Sequence, residues 1–407
     1  MLYDIRTALP PLRRDIQINA SDDGATLLLR DTIGYAENDL TISSNALAVL
    51  EMMDGRNNAA VLEVFFREQF GAEIPADDIA GFAAVLDREG YLYSQNFSIR
   101  RRQFEENYAR QPVRRSVCAG GAYPSDPDDL REFLQNIMES SPAAAVEAGA
   151  SGIIAPHIDL NVGGASYSPA YHAISGSDAD LFVIYATSHY AGYDLIIPTD
   201  KDFETPLGLV RTDRALLEAI RTRLPFEVTR NDIAHRPEHS IELELIFLQH
   251  LFPGREFTIL PLLVTSFAGF FGGDAPPCAH DKVRLFAEAV RGAVAESGRK
   301  AVFISSGDLG HIGRKFGDDF DAEDKLPELA RADASLLSRL AACDRDGFFA
   351  EIAACDDTWK VCGTAPDYML LETLRPGRGA ALCYDQWSER ETRSAVSFAS
   401  VAFYGGE

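Results

Sequence analysis

The chain has 407 residues, 46% of them hydrophobic, and a formal net charge of -24. That length suits two domains, and so acidic a surface argues against nucleic acid and anionic membranes as partners. No run approaches the roughly 18 apolar residues of a membrane span. The opening "MLYDIRTALPPLRRD" also lacks a signal-peptide core, so the cytoplasm is the expected compartment.

Residues 1–95 read as a small separate unit. "ATLLLRDT" (25–32) is expected as a strand. Ser43 or Ser44 offers an N-cap for a helix ending at Gly55, with Leu47, Leu50 and Met53 at helical spacing. A second helix is expected near 59–69, with Val61, Leu62, Phe65 and Phe66 inward. A third, "PADDIAGFAAVLDREG", has acidic residues in its first turn and Gly90 at its end. "YLYSQNFSI" would follow as a strand or wing. Strand, three helices and a wing resemble the peptide-recognition winged helices of the pyrroloquinoline-quinone chaperone (PqqD-like) type. That resemblance implies a peptide partner. A DNA-reading third helix should be basic, yet this one carries Asp77, Asp78, Asp87 and Glu89. Residues 96–115, charged and amphipathic, are expected as a solvated linker or helix.

From 116 to 407 apolar runs alternate with helical patterns. "SSPAAAVEAGAS" (140–151) is expected as a loop or helix end. "GIIAP", "LFVIYATS", "FTILPLLV" and "AVFISSGD" suit buried strands; "SIELELIFLQHLF", "HDKVRLFAEAVRGAVAES" and "ASLLSRLAAC" suit helices. The alternation predicts an α/β domain with a central, mostly parallel sheet flanked by helices. Functional groups then belong just beyond strand C-termini.

Five places repeat one pattern there. His157 follows "GIIAP", His189 follows "LFVIYATS", and His239 stands at a helix start in "RPEHSIELE". Asp308 and His311 follow "AVFISS", and Cys362 lies in a glycine turn feeding a helix expected near Pro366. A thiol before a helix should have its thiolate favoured. Imidazole nitrogen and thiolate sulfur suit zinc, copper or ferrous iron. Each histidine alone is more often structural; four with one placement, plus Asp308 and Cys362, favour a shared pocket. Pro156 would stiffen the first exit, and Gly163 and Gly164 would let backbone approach the pocket. Asp159 would either orient a ring nitrogen or cap a turn. Cys278, Cys343, Cys355 and Cys383 are expected as packed thiols, with Cys118 nearer the pocket but also packed. His172, His235, His250 and His280 are expected at the surface or as caps.

"CAGGAYPSDPDDL", "APHIDLNVGG", "ATSHYAGYD", "EHSIELELIFLQ", "SSGDLGHIG", "VCGTAPDYMLLETL" and "SAVSFASVAFY" resemble, in order, the Memo family, also called protein B of the AmmeMemoRadiSam system. The resemblance implies a fold shared with class III extradiol dioxygenases. By motif it implies a metal site of His157, His189 and Cys362, with Asp308, His311 and His239 as catalytic neighbours. The implied metal is Fe(II) or Cu(I) rather than zinc. The implied partners are a radical S-adenosylmethionine enzyme and an AMMECR-type protein of the same system. Ile158–Asp159, Tyr190 and Leu309–Gly310 depart from the family pattern and reshape the pocket. The dioxygenases use a carboxylate where Cys362 stands, which changes the tuning of the metal. Metal-dependent redox chemistry is therefore the first reading. A peptide- or partner-binding scaffold and zinc-dependent hydrolysis are its alternatives.

Overall fold

The computed structural model describes residues 3–21, 23–140, 146–273 and 275–405. The chain divides into two compact units, Met1–Gln111 and Pro112–Glu407. Residues 141–145, inside the loop expected over 140–151, lie outside the described residues.

In the first unit, β1 (Ile16–Ala20), β2 (Thr26–Asp31) and β3 (Leu40–Ser43) form an antiparallel sheet. Ser43 caps the turn that enters α1 (Leu47–Met52). Asn58 caps α2 (Ala59–Phe70), which stops at Gly71 in the left-handed region, φ 63°. α3 (Ala76–Glu89) ends the same way at Gly90, φ 91°. Gly serves there because a Cβ would be strained. The wing expected after α3 is absent among the described residues. Ser94 instead accepts a hydrogen bond from Phe97 N at 3.0 Å and starts α4 (Gln95–Ala109). The expected linker is accordingly mostly helix, and α4 belongs to the first unit. Phe97 explains this: it is buried beneath the Arg13 guanidinium, 4.3 Å from its ring centroid, and meets Tyr35 edge-on.

The second unit begins with β4 (Val113–Arg114) and α5 (Pro127–Glu139), then β5 (Gly152–Ala155), α6 (Leu160–Gly163) and α7 (Tyr167–Ile174). β6 (Leu181–Thr187), β7 (Ile196–Pro198), β8 (Asp202–Thr205), β9 (Gly208–Thr212) and α8 (Arg214–Arg223) follow. Next come α9 (Ser240–Leu251), β10 (Thr258–Val264), α10 (Asp281–Ser297), β11 (Ala301–Ser306) and β12 (His311–Gly313). The chain closes with α11 (Leu326–Ala341), α12 (Arg345–Ala354), α13 (Thr364–Leu374), β13 (Arg378–Glu389) and β14 (Ser394–Tyr404).

Eleven strands make one sheet, running β12-β14-β5-β11-β6-β10-β9-β8-β4, with β13 on β14 and β7 on β10. The centre, β5-β11-β6-β10-β9, is parallel. Both flanks carry antiparallel pairs: β14 with β5, β12 and β13 on one side, and β8 with β9 on the other. The expected mostly parallel sheet is thus a mixed one. Only the four central strands β5, β6, β10 and β11 of this sheet were expected; among the others, β13 and β14 carry many small and polar residues and form a long hairpin rather than a crossover unit.

Central strands are buried on both faces, which is why they read as continuous apolar runs. Ile153, Phe182 and Ile184 pack toward α5, α7 and α9, while Ile154, Val183 and Leu262 pack toward α10 and α13. The parallel register then fixes the site. Ser306 at the end of β11 stands opposite Ala155 of β5 and Ala186 of β6. The residues two or three positions further on, His157, Asp308 and His189, therefore emerge side by side. No helix among the described residues is long and apolar enough to cross a membrane.

Candidate metal centre

One ligand atom from each of His157, His189 and Cys362 lies within 4.8 Å of the others. The same holds for Asp308, His311 and Cys362, and for His189, Glu238 and His239. All six residues singled out in the sequence meet in one place. The rings of His157 and His189 are 5.0 Å apart, those of His157 and His239 5.2 Å, and those of His189 and His239 4.9 Å.

Cys362 lies two residues before α13, which starts at Thr364, two residues earlier than expected. Its loop lies directly on the β11 exit. Gly363 N donates to Asp308 O at 2.9 Å. A Cβ on Gly307 would stand 2.4 Å from Gly363 Cα, so this approach requires glycine. Asp308 N then points at Cys362 Sγ, 3.3 Å away, and Sγ lies 3.3 Å from His157 Nε2. Burial and the neighbouring Asp308 push the Cys362 thiol well above its ordinary range. The expected gain from the helix start is outweighed, and only a bound cation would favour the thiolate here.

The tautomers follow from the partners. Ser306 Oγ donates to Ser240 O at 2.7 Å, so its single proton is committed. His157 Nδ1, 3.3 Å from that hydroxyl, must be the donor, leaving the Nε2 lone pair facing Cys362. His189 Nδ1 faces Glu238 Oε1 at 3.0 Å, and His239 Nδ1 faces it at 3.3 Å. His311 Nδ1 faces the carbonyls of Leu309 and Lys360 at 3.0 and 3.1 Å. A carboxylate or carbonyl can only accept, so each Nε2 keeps its lone pair.

Charge is distributed unevenly across the site. Burial, then the neighbouring His189 and His239, hold His157 well below its usual value. Burial likewise lowers His311 to about 4. Burial raises Asp308 to about 7, partly offset by the hydrogen bond from His157 N at 2.9 Å. On His189 burial is overcome by Glu238, and the value rises. Glu238, itself buried, is held well below its usual range by His189 and His239 in spite of burial.

Glu238 was missed in the sequence. It receives His189 N at 2.8 Å and His239 N at 3.0 Å as well as both rings, so it aims two imidazoles at once. Its position beside His239, before a helix, was the available signal. Arg114, also missed, donates to His235 O at 3.0 Å, binds the Glu238 carbonyl and pairs with Glu242. Other expectations are corrected. Gly163 and Gly164 approach Ile158, Phe398 and Ile137 side chains rather than the pocket. Of the two roles open to Asp159 the structure shows the cap: it starts α6, receiving Asn161 N at 2.8 Å. His235, expected near the surface, is buried with Nε2 2.7 Å from Ile197 O.

A Memo-like protein family model matches residues 114–402. The chain belongs to the Memo-like protein family. A MEMO1 family protein of Aquifex aeolicus is 28% identical over 94% of this chain and 96% of its own length. One of Thermus thermophilus is 28% identical over 84% of this chain and 98% of its own. One of Pyrococcus furiosus is 31% identical over 62% of this chain and 83% of its own. The family match starts at the boundary of the second unit, and the Aquifex relative aligns into the first unit as well.

Two imidazoles and a thiol, converging from three separate loops with their other ring nitrogens committed, fit a single transition metal.

Proposed function

We propose that this protein holds one Fe(II) or Cu(I) ion on His157, His189 and Cys362 and performs metal-dependent redox chemistry of the dioxygenase-like kind. The observation that carries this reading is the convergence of those three donor atoms within 4.8 Å. A bound ion would supply one-electron chemistry and polarise an oxygen-containing substrate. The remaining work falls to the chain itself. Asp308 titrates close to neutrality, so it can hold or release a proton at a carboxylate oxygen beside His157. His311 and His239, with Nδ1 turned to carbonyl and carboxylate acceptors, present Nε2 lone pairs. Glu238 keeps His189 and His239 oriented while substrate enters on their more open side.

The fold relation to class III extradiol dioxygenases, the cytoplasmic location, and partnership with a radical S-adenosylmethionine enzyme and an AMMECR-type protein belong to the same proposal. So does a peptide- or partner-docking role for the first unit, with residues 1–95 as its PqqD-like part.

Anaerobic purification with elemental analysis tests the reading. The expected result is about one iron or copper per chain, lost in His157→Ala. Zinc alone would favour hydrolysis. A chain that binds no metal even after reconstitution would favour the binding scaffold.

A further inference from the structure

Behind His157 lies a carboxyl group that the chemistry above does not use. Glu244, on α9, is fully buried. Its Oε2 accepts from Tyr171 OH at 2.5 Å, and its Oε1 is buried without a hydrogen-bonded partner. The groups acting on it are Tyr171, the Ser306 hydroxyl and the Asp308 carboxyl. Tyr167, stacked on the Phe247 ring as Tyr171 is, also lies near the carboxyl. None of these supplies a positive charge.

Ser306 links Glu244 to the site. A hydroxyl has one proton and two lone pairs. The proton goes to Ser240 O, and one lone pair receives His157 Nδ1–H. The remaining lone pair can take only a donor. A carboxylate has none to give; a carboxylic acid does. A buried carboxyl with one oxygen lacking a partner is less costly to hold neutral than ionised. Burial, opposed by the hydroxyls of Tyr171 and Ser306 and reinforced by Asp308, raises Glu244 to about 8.

We propose that Glu244 is a proton-exchanging positioning residue for the metal centre, neutral in the metal-free protein and ionised once a cation sits on His157. This rests on the metal-centre reading. The Glu244 O–H bond breaks and its proton leaves to solvent. The Ser306 hydroxyl turns its hydrogen from Ser240 O to the new carboxylate and goes on accepting from His157 Nδ1. Nothing is oxidised or reduced. A positive charge on the far side of the imidazole drives the change, because it favours the ionised form of a nearby acid. His157 then gains the carboxylate backing that His189 already has from Glu238.

The test is Zn(II) titrated into the metal-free full-length chain at neutral pH, with protons counted by calorimetry in two buffers of different ionisation heat. The parent should release about one proton more than Glu244→Gln. An infrared band of a buried neutral carboxyl should vanish on zinc binding in the parent and be missing from the variant. If Glu244→Gln does not fold, Ser306→Ala replaces it and should lose the same extra proton. Zinc binding with equal proton release, or with the carboxyl band intact, overturns this inference and leaves the metal centre standing. Failure of the parent to bind zinc, iron or copper overturns the metal centre, and this inference with it.

Discussion

His157 and His189 leave the two parallel strands that flank β11, within one residue of the same register, yet their surroundings are opposites. His157 is closed in, backed by a neutral hydroxyl, and resists charging. His189 is open on one edge, backed by the Glu238 carboxylate, and charges more readily. The sheet supplies the same aim to both. The segment around the start of α9 supplies the difference: Glu238, two residues before the helix, serves the open side, and Glu244, six residues further on and inside the helix, lies by Ser306 on the closed side. A family of sites on this scaffold can therefore be retuned from α9 without moving a strand.

The bluntest way to break this comparison is to remove the donor that both sides share. Cys362→Ser keeps the size and replaces a soft ligand with a weak hard one. Most ferrous or cuprous binding should be lost, while the melting of the metal-free protein changes little. Cys355, expected as a packed thiol but exposed and outside the site, supplies the control Cys355→Ser. Equal metal retention by both variants, read by elemental analysis, would remove Cys362 from the site.

Glu238→Gln sharpens the contrast by discharging the open side only. Loss of a carboxylate behind a histidine ligand typically weakens metal binding roughly 10–100-fold. A Ser306→Ala change behind His157 should weaken it less, since a neutral hydroxyl is the weaker partner. Competition titration of the two variants against one chelator ranks them. The reverse order would mean that the closed side carries the tuning.

Much of the front of the site was legible. Histidine, aspartate and cysteine beside glycine at the ends of apolar runs stand out, because strand ends are where such sheets expose chemistry. The support behind it was not. "SIELELIFLQ" reads simply as a helix, and Glu242 and Glu244, two residues apart, point to different sides of it with nothing in the pattern to mark either as buried. In the fold Ser240 through Leu248 are all buried. No periodicity shows that two carboxylates will each find a separate buried partner. The wing failed for a related reason: Ser94 is an equally good start for a helix, and Phe97 had a place waiting against Arg13 and Tyr35. The strand hairpin of β13 and β14 was hidden by its small residues, which pair through backbone.

Gly307→Ala attacks the seam between the β11 exit and the Cys362 loop. The new Cβ would meet Gly363 Cα at 2.4 Å, backbone against backbone, with no flexible side chain to yield. Overpacking of this kind destabilises by roughly 1–3 kcal/mol. The separation should draw Cys362 away from His157 and weaken metal binding along with the melting temperature. Gly176→Ala, with open space around its Cβ, is the matched control. Equal melting of the two variants would show that the loops yield freely.

The finest test sets Glu242 against Glu244, two residues apart on one helix. Glu242 is buried, which raises its pKa, but Arg114 with Ser116 and Tyr123 more than reverses that, and the folded value lies below 4.5. Its contribution to stability is therefore present above pH 4.5 and is lost as pH falls through the folded value. Glu244 meets no cation and its folded value rises to about 8. Its contribution is present below 4.5 and is lost as pH rises toward 8. Denaturant unfolding of the metal-free chain should then show two opposite drifts against the parent. Glu242→Gln should be most destabilised near neutrality, with the gap narrowing below pH 4.5. It does not close, because Arg114 stays buried without its partner. Glu244→Gln should compare worst with the parent in acid and improve steadily up to about pH 8, by at most about 1.4 kcal/mol per pH unit. Parallel drifts in the two variants would mean that both carboxyls share one environment, and that α9 does not separate a charged side of the site from a neutral one.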